Sequence, residues 1–151
     1  SIVFSGIVLI DRTGKPVGRQ HDIIREGAIM NEIVRRTCMI PRDFLFTREQ
    51  YLAAGGFDSK IRIYEDWDLK IRLAKKNRFY YSGIDGIGYR RHGSGLSAAS
   101  PLCHAGWLIR IFAKNYFLLD AERVKTAGMV LRLVAKMIRS HVRSRYFRKF
   151  P

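Results

Sequence analysis

The chain has 151 residues, which is enough for one domain with a hydrophobic core. Hydrophobic residues make up 47% and aromatic residues 12% of it, which excludes a disordered or collagen-like chain. Lys and Arg number 28 against 13 Asp and Glu, giving a formal net charge of +15. This excess predicts a polyanionic partner, either nucleic acid, an anionic lipid surface or a phosphorylated substrate.

The cysteine content and the first residues bear on the compartment. Two cysteines are too few for a disulfide framework or a cysteine-only zinc site. The chain opens without a basic leader or a small-residue cleavage site, so no secretory signal is expected. Together these features predict a reducing, cytoplasmic setting.

The first part of the chain alternates strand and helix patterns. Residues 1–18 predict two strands around a tight turn at Gly14, because β-branched residues flank turn-forming ones. The spacing of apolar residues over 22–36 predicts a helix, which Gly27 weakens.

A short strand and a short helix are predicted next, before a second pair of strands. Residues 44–46 favour a strand, and 48–54 favour a helix that ends at Gly55-Gly56. Further along the chain, 78–82 and 87–91 predict two strands around a turn.

Residues 61–74 fit two patterns. Apolar and polar residues alternate there, which by period predicts a strand. Acidic residues at the start and lysines at the end suit a helix dipole, and Asp68 and Arg72 form an i,i+4 pair. We choose the helix. On it, Asp66 and Asp68 point about 200° apart, so Asp66-Trp67-Asp68 is not a metal-binding pair of carboxylates.

The last third of the chain is strongly basic. Residues 102–119 predict a buried or interfacial helix, because Arg110 and Lys114 interrupt the apolar run and disfavour a membrane span. From residue 103 onward there are eleven Lys and Arg and two acidic residues. Over 124–143 an i, i+4, i+7, i+11 cationic stripe, with apolar residues away from it, predicts an amphipathic basic helix. The stripe is Arg132, Lys136, Arg139 and Arg143, and the apolar residues are Val130, Val134, Met137 and Ile138.

Three sequence segments in order carry a resemblance to a known family. They are GGFD from Gly55, EDWDLKIRLAKK from Glu65 and GYRRHGSGLS from Gly88. Over roughly residues 1–97 the chain resembles the C-terminal half of family-2 glycosyltransferases of GT-A fold. The resemblance implies an α/β fold, with part of a Rossmann-like GT-A domain at 1–102 and a basic helical tail at 103–151. The family's nucleotide-binding half and its DxD motif have no counterpart in these residues.

The resemblance also implies a reaction. It is the inverting transfer of a sugar from a nucleotide-sugar donor to a glycan or lipid-linked acceptor. Asp66 would be the general base that takes the proton of the acceptor hydroxyl, with Glu65 as its neighbour in the catalytic site. The alternative for both carboxylates is a favourable charge at a helix start, worth about 0.3–1 kcal/mol.

Substrate contacts are implied for a further set of residues. They are Gly55, Gly56, Asp58, Trp67, Arg90 and Arg91. The glycine pair would approach the acceptor or merely end a helix. Trp67 suits the core better than a sugar-stacking surface. The two arginines would contact donor phosphates or serve as charges at a strand edge.

His92 is the metal ligand that the resemblance implies. A neutral imidazole can bind a divalent cation, Mn²⁺ or Mg²⁺, shared here with a DxD motif that this sequence does not contain. The alternative is an exposed loop histidine.

The basic tail leaves the type of partner open. Residues 124–149 would dock on the anionic inner face of a membrane, since each cation is worth about 1 kcal/mol there. Alternatively, the helix is solvated and packs on its own domain. A competing function is a non-enzymatic module that binds nucleic acid or an anionic membrane through this tail. Nucleic acid is less expected, because no zinc-finger, RNP-type or helix-turn-helix signature is present. A remnant without activity is a third possibility.

Overall fold

The computed structural model describes residues 1–19, 23–38, 40–41, 43–90, 100–119 and 123–147, the last range with side chains only over 124–140. This part of the chain is a mixed α/β structure, which confirms the predicted class. Its strands are β1 (Ile2–Ile10), β2 (Pro16–Arg19), β3 (Phe44–Leu45) and β4 (Phe79–Arg90). Its helices are α1 (Met30–Arg35), α2 (Arg48–Ala53), α3 (Glu65–Ala74), α4 (Pro101–Asn115) and α5 (Arg123–Phe147), with a 3₁₀ turn at Tyr116–Leu118.

Strand β1 is the centre of the sheet. It pairs with β4 in parallel along its whole length. On its other edge it pairs antiparallel with β2 near its end and with β3 near its start. The predicted hairpin over 1–18 is therefore confirmed, and Gly14 adopts φ +91° in the turn while the Asp11 carboxylate accepts the backbone N–H groups of Thr13 and Lys15.

Strand β4 corrects one prediction. The turn expected between 78–82 and 87–91 does not form, because β1 lies alongside and pairs with both segments. Phe4 pairs with Tyr81 and Ile7 with Ile87, so β4 advances by six residues where β1 advances by three. The extra residues form an irregularity that includes Gly83 at φ +79°.

The helix predicted over 22–36 is also largely wrong. Among the described residues, helix α1 begins only at Met30. Gly27 instead exchanges two backbone hydrogen bonds with Phe79, at 2.7 and 3.0 Å, and has φ +89°. Glycine has the lowest helix propensity of any residue except proline, so Gly27 pairs with β4 instead of continuing a helix.

The helices pack on the sheet around one main core cluster. The members that are no more than 2% exposed are Ile2, Phe4, Val34, Leu69, Ile71, Leu73, Phe79, Leu108, Ile111 and Leu119. They come from the sheet, α1, α3, α4 and the end of the 3₁₀ turn, so the region after residue 102 shares this core with the region before it. The helix choice for 61–74 is confirmed by α3.

Helices α4 and α5 confirm that the basic tail is helical over most of its described residues. Ala105 of α4 packs with Val130 and Val134 of α5 in a second cluster. Ile138, one of the apolar residues expected away from the cationic stripe, is 41% exposed. In the described part of the chain, no helix has both the length and the apolar character needed to cross a membrane.

Candidate active-site cleft

A cleft of about 610 Å³ opens between the loop after α1 and the first turns of α3. Residues from β1 and from the segment before α1 complete its wall. The lining residues are Ile7, Ile23, Ile33, Arg36, Thr37, Cys38, Ile40, Pro41, Tyr64, Asp66, Trp67 and Lys70. The lining thus combines apolar residues with three charged side chains, those of Arg36, Asp66 and Lys70.

Asp66 is the acidic side chain on this wall. It lies in the first turn of α3, where the helix dipole favours a negative charge. Its carboxylate oxygen Oδ2 accepts a hydrogen bond from Lys70 Nζ at 2.7 Å. The side chain is 25% exposed, so a molecule in the cleft can reach the carboxylate.

Lys70 is a buried ammonium with two acceptors. Besides Asp66, Nζ donates to the carbonyl oxygen of Ile40 at 2.8 Å, and it lies 5.5 Å from the centre of the Phe44 ring. Burial lowers the pKa of Lys70 from its ordinary value, and the Asp66 carboxylate opposes that shift. Because the side chain is only 6% exposed, Lys70 fixes the position of Asp66 rather than contacting solvent.

The residue just before α3 has a strained backbone. Tyr64 adopts φ +66° and ψ +27°, a left-handed conformation that is uncommon for a bulky residue. Its ring holds the Arg36 guanidinium 4.8 Å from its centre and contacts Trp67 edge-on at 6.2 Å. Strain of this kind concentrates at functional sites, so its presence two residues before Asp66 supports a functional role for the cleft.

Asp68 lies on the opposite side of α3 and has a different environment. Its carboxylate is fully buried and accepts hydrogen bonds from Arg72, Lys114 and Asn115. The nitrogen–oxygen distances run from 2.7 Å for Arg72 Nη2 to 3.1 Å for Lys114 Nζ. The predicted divergence of Asp66 and Asp68 on a helix is confirmed, since one lines the cleft and the other ties α3 to α4.

The glycine pair ends α2 as a helix C-cap. Gly55 and Gly56 have φ +81° and +66°. The Gly56 N–H donates to the Tyr51 carbonyl and the Gly55 N–H to the Leu52 carbonyl, which is the Schellman pattern. Neither glycine is among the described residues that line the cleft. The capping role is therefore confirmed, and the acceptor contact stays a prediction.

Asp58 belongs with Asp68 rather than with Asp66. Its carboxylate forms an ion pair with Lys114 at 2.7 Å, and Lys114 also reaches Asp68. The hydrogen bond from Lys114 lowers the pKa of Asp58, with a further contribution from the Lys60 N–H. Arg72 donates to the carbonyl of Ala54 and also pairs with Asp68. These contacts anchor the loop after α2 to the core side of α3.

Trp67 and Glu65 flank Asp66 in sequence but differ in placement. Trp67 is 6% exposed, and its indole Nε1 donates to the Ile33 carbonyl at 2.7 Å, so it is chiefly a core residue with one edge on the cleft. Glu65 lies in the first turn of α3 and is not among the described residues that line the cleft.

Of the residues predicted to contact donor phosphates or a metal ion, only Arg90 is among the described residues. Arg90 ends β4, where it pairs with Ile10, and its guanidinium lies near the turn at Gly14 rather than on the cleft wall. Arg91 and His92 lie outside the described residues. Within the described ranges, no three His, Cys, Asp or Glu side chains come close enough together to hold a metal ion. The Mn²⁺ or Mg²⁺ site that depends on His92 stays a prediction.

Sequence reasoning missed the cationic part of the cleft. Lys70 follows Asp66 by four residues, so the i,i+4 rule that singled out Asp68 and Arg72 would also have found this pair. Arg36 had no comparable signal, because the left-handed turn that places it, φ +55°, depends on the end of α1.

Comparison with known proteins assigns no family, since no family model, curated protein or solved structure matches the chain. The function proposed below therefore rests on the cleft and on the sequence resemblance.

Proposed function

We propose that this chain forms the acceptor side of an inverting glycosyltransferase, with Asp66 as the general base. The observation that carries the proposal is the Asp66 carboxylate itself. It is held by Lys70 at 2.7 Å on the wall of the cleft, and the side chain remains 25% exposed. A carboxylate fixed in this way can stay within hydrogen-bond reach of one bound hydroxyl group.

The proposed reaction is a single displacement. An acceptor hydroxyl donates its proton to an Asp66 oxygen while the hydroxyl oxygen bonds to the anomeric carbon of the donor sugar. The bond between that carbon and the diphosphate oxygen breaks, and the electron pair leaves with the diphosphate. Attack from the face opposite the leaving group inverts the configuration. Arg36, an exposed cation on the same cleft wall, is positioned to contact a phosphate group.

Lys70 holds the Asp66 carboxylate in one orientation through the 2.7 Å hydrogen bond from Nζ. We therefore propose Lys70 as a positioning residue and Asp66 as the catalytic one.

The donor must be bound largely by other residues. The resemblance assigns nucleotide binding and the DxD motif to a half-domain with no counterpart in these 151 residues. The proposal therefore requires that half-domain to come from outside them, and the divalent cation that it shares with His92 would neutralise the departing diphosphate.

The test is donor turnover by the native-length protein, purified with all its natural sequence. Release of nucleoside diphosphate is measured for a panel of uridine, guanosine and thymidine diphosphate sugars with and without lipid-linked acceptors. We expect turnover of at least one donor. Asp66→Asn should lower kcat by about 10²–10⁴, because general base catalysis contributes that much, while the donor KM stays the same.

The matched control is Glu49→Gln, which neutralises an exposed carboxylate in the first turn of α2. This variant should keep the wild-type kcat. Turnover above a tenth of wild type in Asp66→Asn would refute the base assignment. A panel with no turnover at all would refute the transferase itself.

A further inference from the structure

The solvent side of the α4–α5 pair carries an apolar strip. We define it as Leu102 and Ile109 of α4 with Leu131 and Ile138 of α5, which are between 41% and 64% exposed. Ala105 and Val134 are buried where the two helices meet. On α4, Leu102 lies three residues before Ala105 and Ile109 four residues after it. On α5, Leu131 and Ile138 have the same spacing from Val134. Residues at this spacing share a helix side, so the strip follows the helix–helix contact on its exposed border.

Exposed cations flank this strip. Arg110 follows Ile109, Arg132 follows Leu131 and Arg139 follows Ile138, each about 100° further round its helix. On both helices this rotation leads away from the α4–α5 contact. Lys136 is exposed on the same helix, four residues after Arg132. The result is an apolar centre with positive charge on both sides.

We propose that this surface docks the protein on an anionic lipid bilayer, with the helices lying in the plane of the interface. Aliphatic side chains would enter the boundary between headgroups and acyl chains while the arginines and lysine contact lipid phosphates. The Trp107 ring, which has the Arg110 guanidinium 5.3 Å from its centre, adds the aromatic and cation combination typical of membrane interfaces.

The apolar strip distinguishes a bilayer from other polyanions. Nucleic-acid phosphates would engage the cations but leave Leu131 and Ile138 without a partner. Self-association through the same face would bring the cationic flanks of two copies together, which is unfavourable. A bilayer with anionic headgroups matches both the apolar and the cationic residues.

The experiment is cosedimentation of the native-length protein with sucrose-loaded vesicles at 0.1 M salt. One set contains phosphatidylcholine with about a third phosphatidylglycerol, and the other contains phosphatidylcholine alone. We expect binding to the anionic set that weakens at 0.5 M salt, because screening shortens the reach of the charges. The triple variant Arg132→Gln/Lys136→Gln/Arg139→Gln should lower the partition coefficient roughly 100-fold, at about fivefold for each cation.

Two further variants separate the features of the surface. Leu131→Ser/Ile138→Ser keeps every charge and should also weaken vesicle binding, while leaving any binding to a 20-base-pair DNA duplex unchanged. Arg12→Gln/Lys15→Gln/Lys60→Gln removes three exposed cations elsewhere and should bind vesicles as the wild type does. All variants change exposed side chains, so circular dichroism should show the wild-type fold.

Three results would overturn the docking proposal. The first is equal binding to neutral and anionic vesicles. The second is wild-type vesicle binding by the triple variant or by the serine variant. The third is a lipid-free dimer in sedimentation velocity that the serine variant dissociates, since the strip would then be a contact between copies of the chain. None of these results depends on whether the protein transfers sugars.

Discussion

Asp68→Asn tests the view that the two carboxylates of Asp66-Trp67-Asp68 have unrelated roles. The substitution removes the charge from a fully buried carboxylate that accepts two hydrogen bonds from Arg72, one from Lys114 and one from Asn115. Removing one partner of a buried ion pair costs about 3–5 kcal/mol, because the other charge stays buried without compensation.

The exposure and remaining partners of Lys114 and Arg72 decide where in that range the cost of Asp68→Asn falls. Lys114 is 35% exposed and keeps Asp58 as a partner, so it loses little. Arg72 is 13% exposed and keeps only the Ala54 carbonyl among its described contacts. One uncompensated cation places the expected loss near the low end, about 3 kcal/mol. For a domain of this size that corresponds to a fall in Tm of roughly 6–12 °C.

The assay is urea unfolding followed by tryptophan fluorescence, with Trp67 as a buried reporter next to Asp68 in sequence. Asp58→Asn is the control, because it removes the more exposed partner of the same lysine and should cost far less. The reasoning fails if Asp68→Asn loses less than about 1 kcal/mol, or if Asp58→Asn loses as much.

Two further predictions concern titratable side chains of the cleft. Burial lowers the pKa of Lys70 below its ordinary 10.5, so the unfolded chain binds more protons between the two values and stability rises with pH there. Lys70→Met should remove this rise, which urea unfolding of both proteins at a series of pH values up to 10.5 would show; parallel curves would contradict it. Burial raises the pKa of the Cys38 thiol to about 11, leaving about 0.1% thiolate at pH 8. Iodoacetamide should therefore label the exposed Cys103 well before Cys38 by peptide mass analysis, and equal labelling would disprove the burial.

Local signals predicted the element that carries the site. The choice of a helix over 61–74 rested on its terminal charges and on the spacing of Asp68 and Arg72, and both features occur in α3, with that pair at 2.7 Å. The capping role of the glycines after α2 could likewise be predicted, because a Schellman cap needs a residue with positive φ just beyond the helix. Such signals lie within a few residues of one another along the chain.

The features that the sequence did not predict depend on contacts between residues far apart in the chain. The continuity of β4 depends on β1, more than seventy residues away, and Gly27 leaves the helical pattern because Phe79 offers two backbone hydrogen bonds. The burial of Lys70 has the same origin, since the Ile40 carbonyl and the Phe44 ring that surround it come from another segment. A pattern along one segment carries no information about such partners.

The two proposals meet at α5. Arg36, Tyr64 and Trp67 line the cleft, and they also line a groove of about 370 Å³ whose other wall includes Leu133 and Met137 of α5. The groove therefore separates α5, the helix proposed to lie on the bilayer, from the cleft wall that carries Asp66. If both proposals hold, docking would place the cleft across α5 from the lipid surface, about one helix diameter of 10–12 Å away, which favours a lipid-linked acceptor over a soluble glycan. The Leu131→Ser/Ile138→Ser variant would then lose turnover on an acceptor presented in vesicles and keep it on the same acceptor in detergent. Equal loss in both settings would break the link between docking and catalysis.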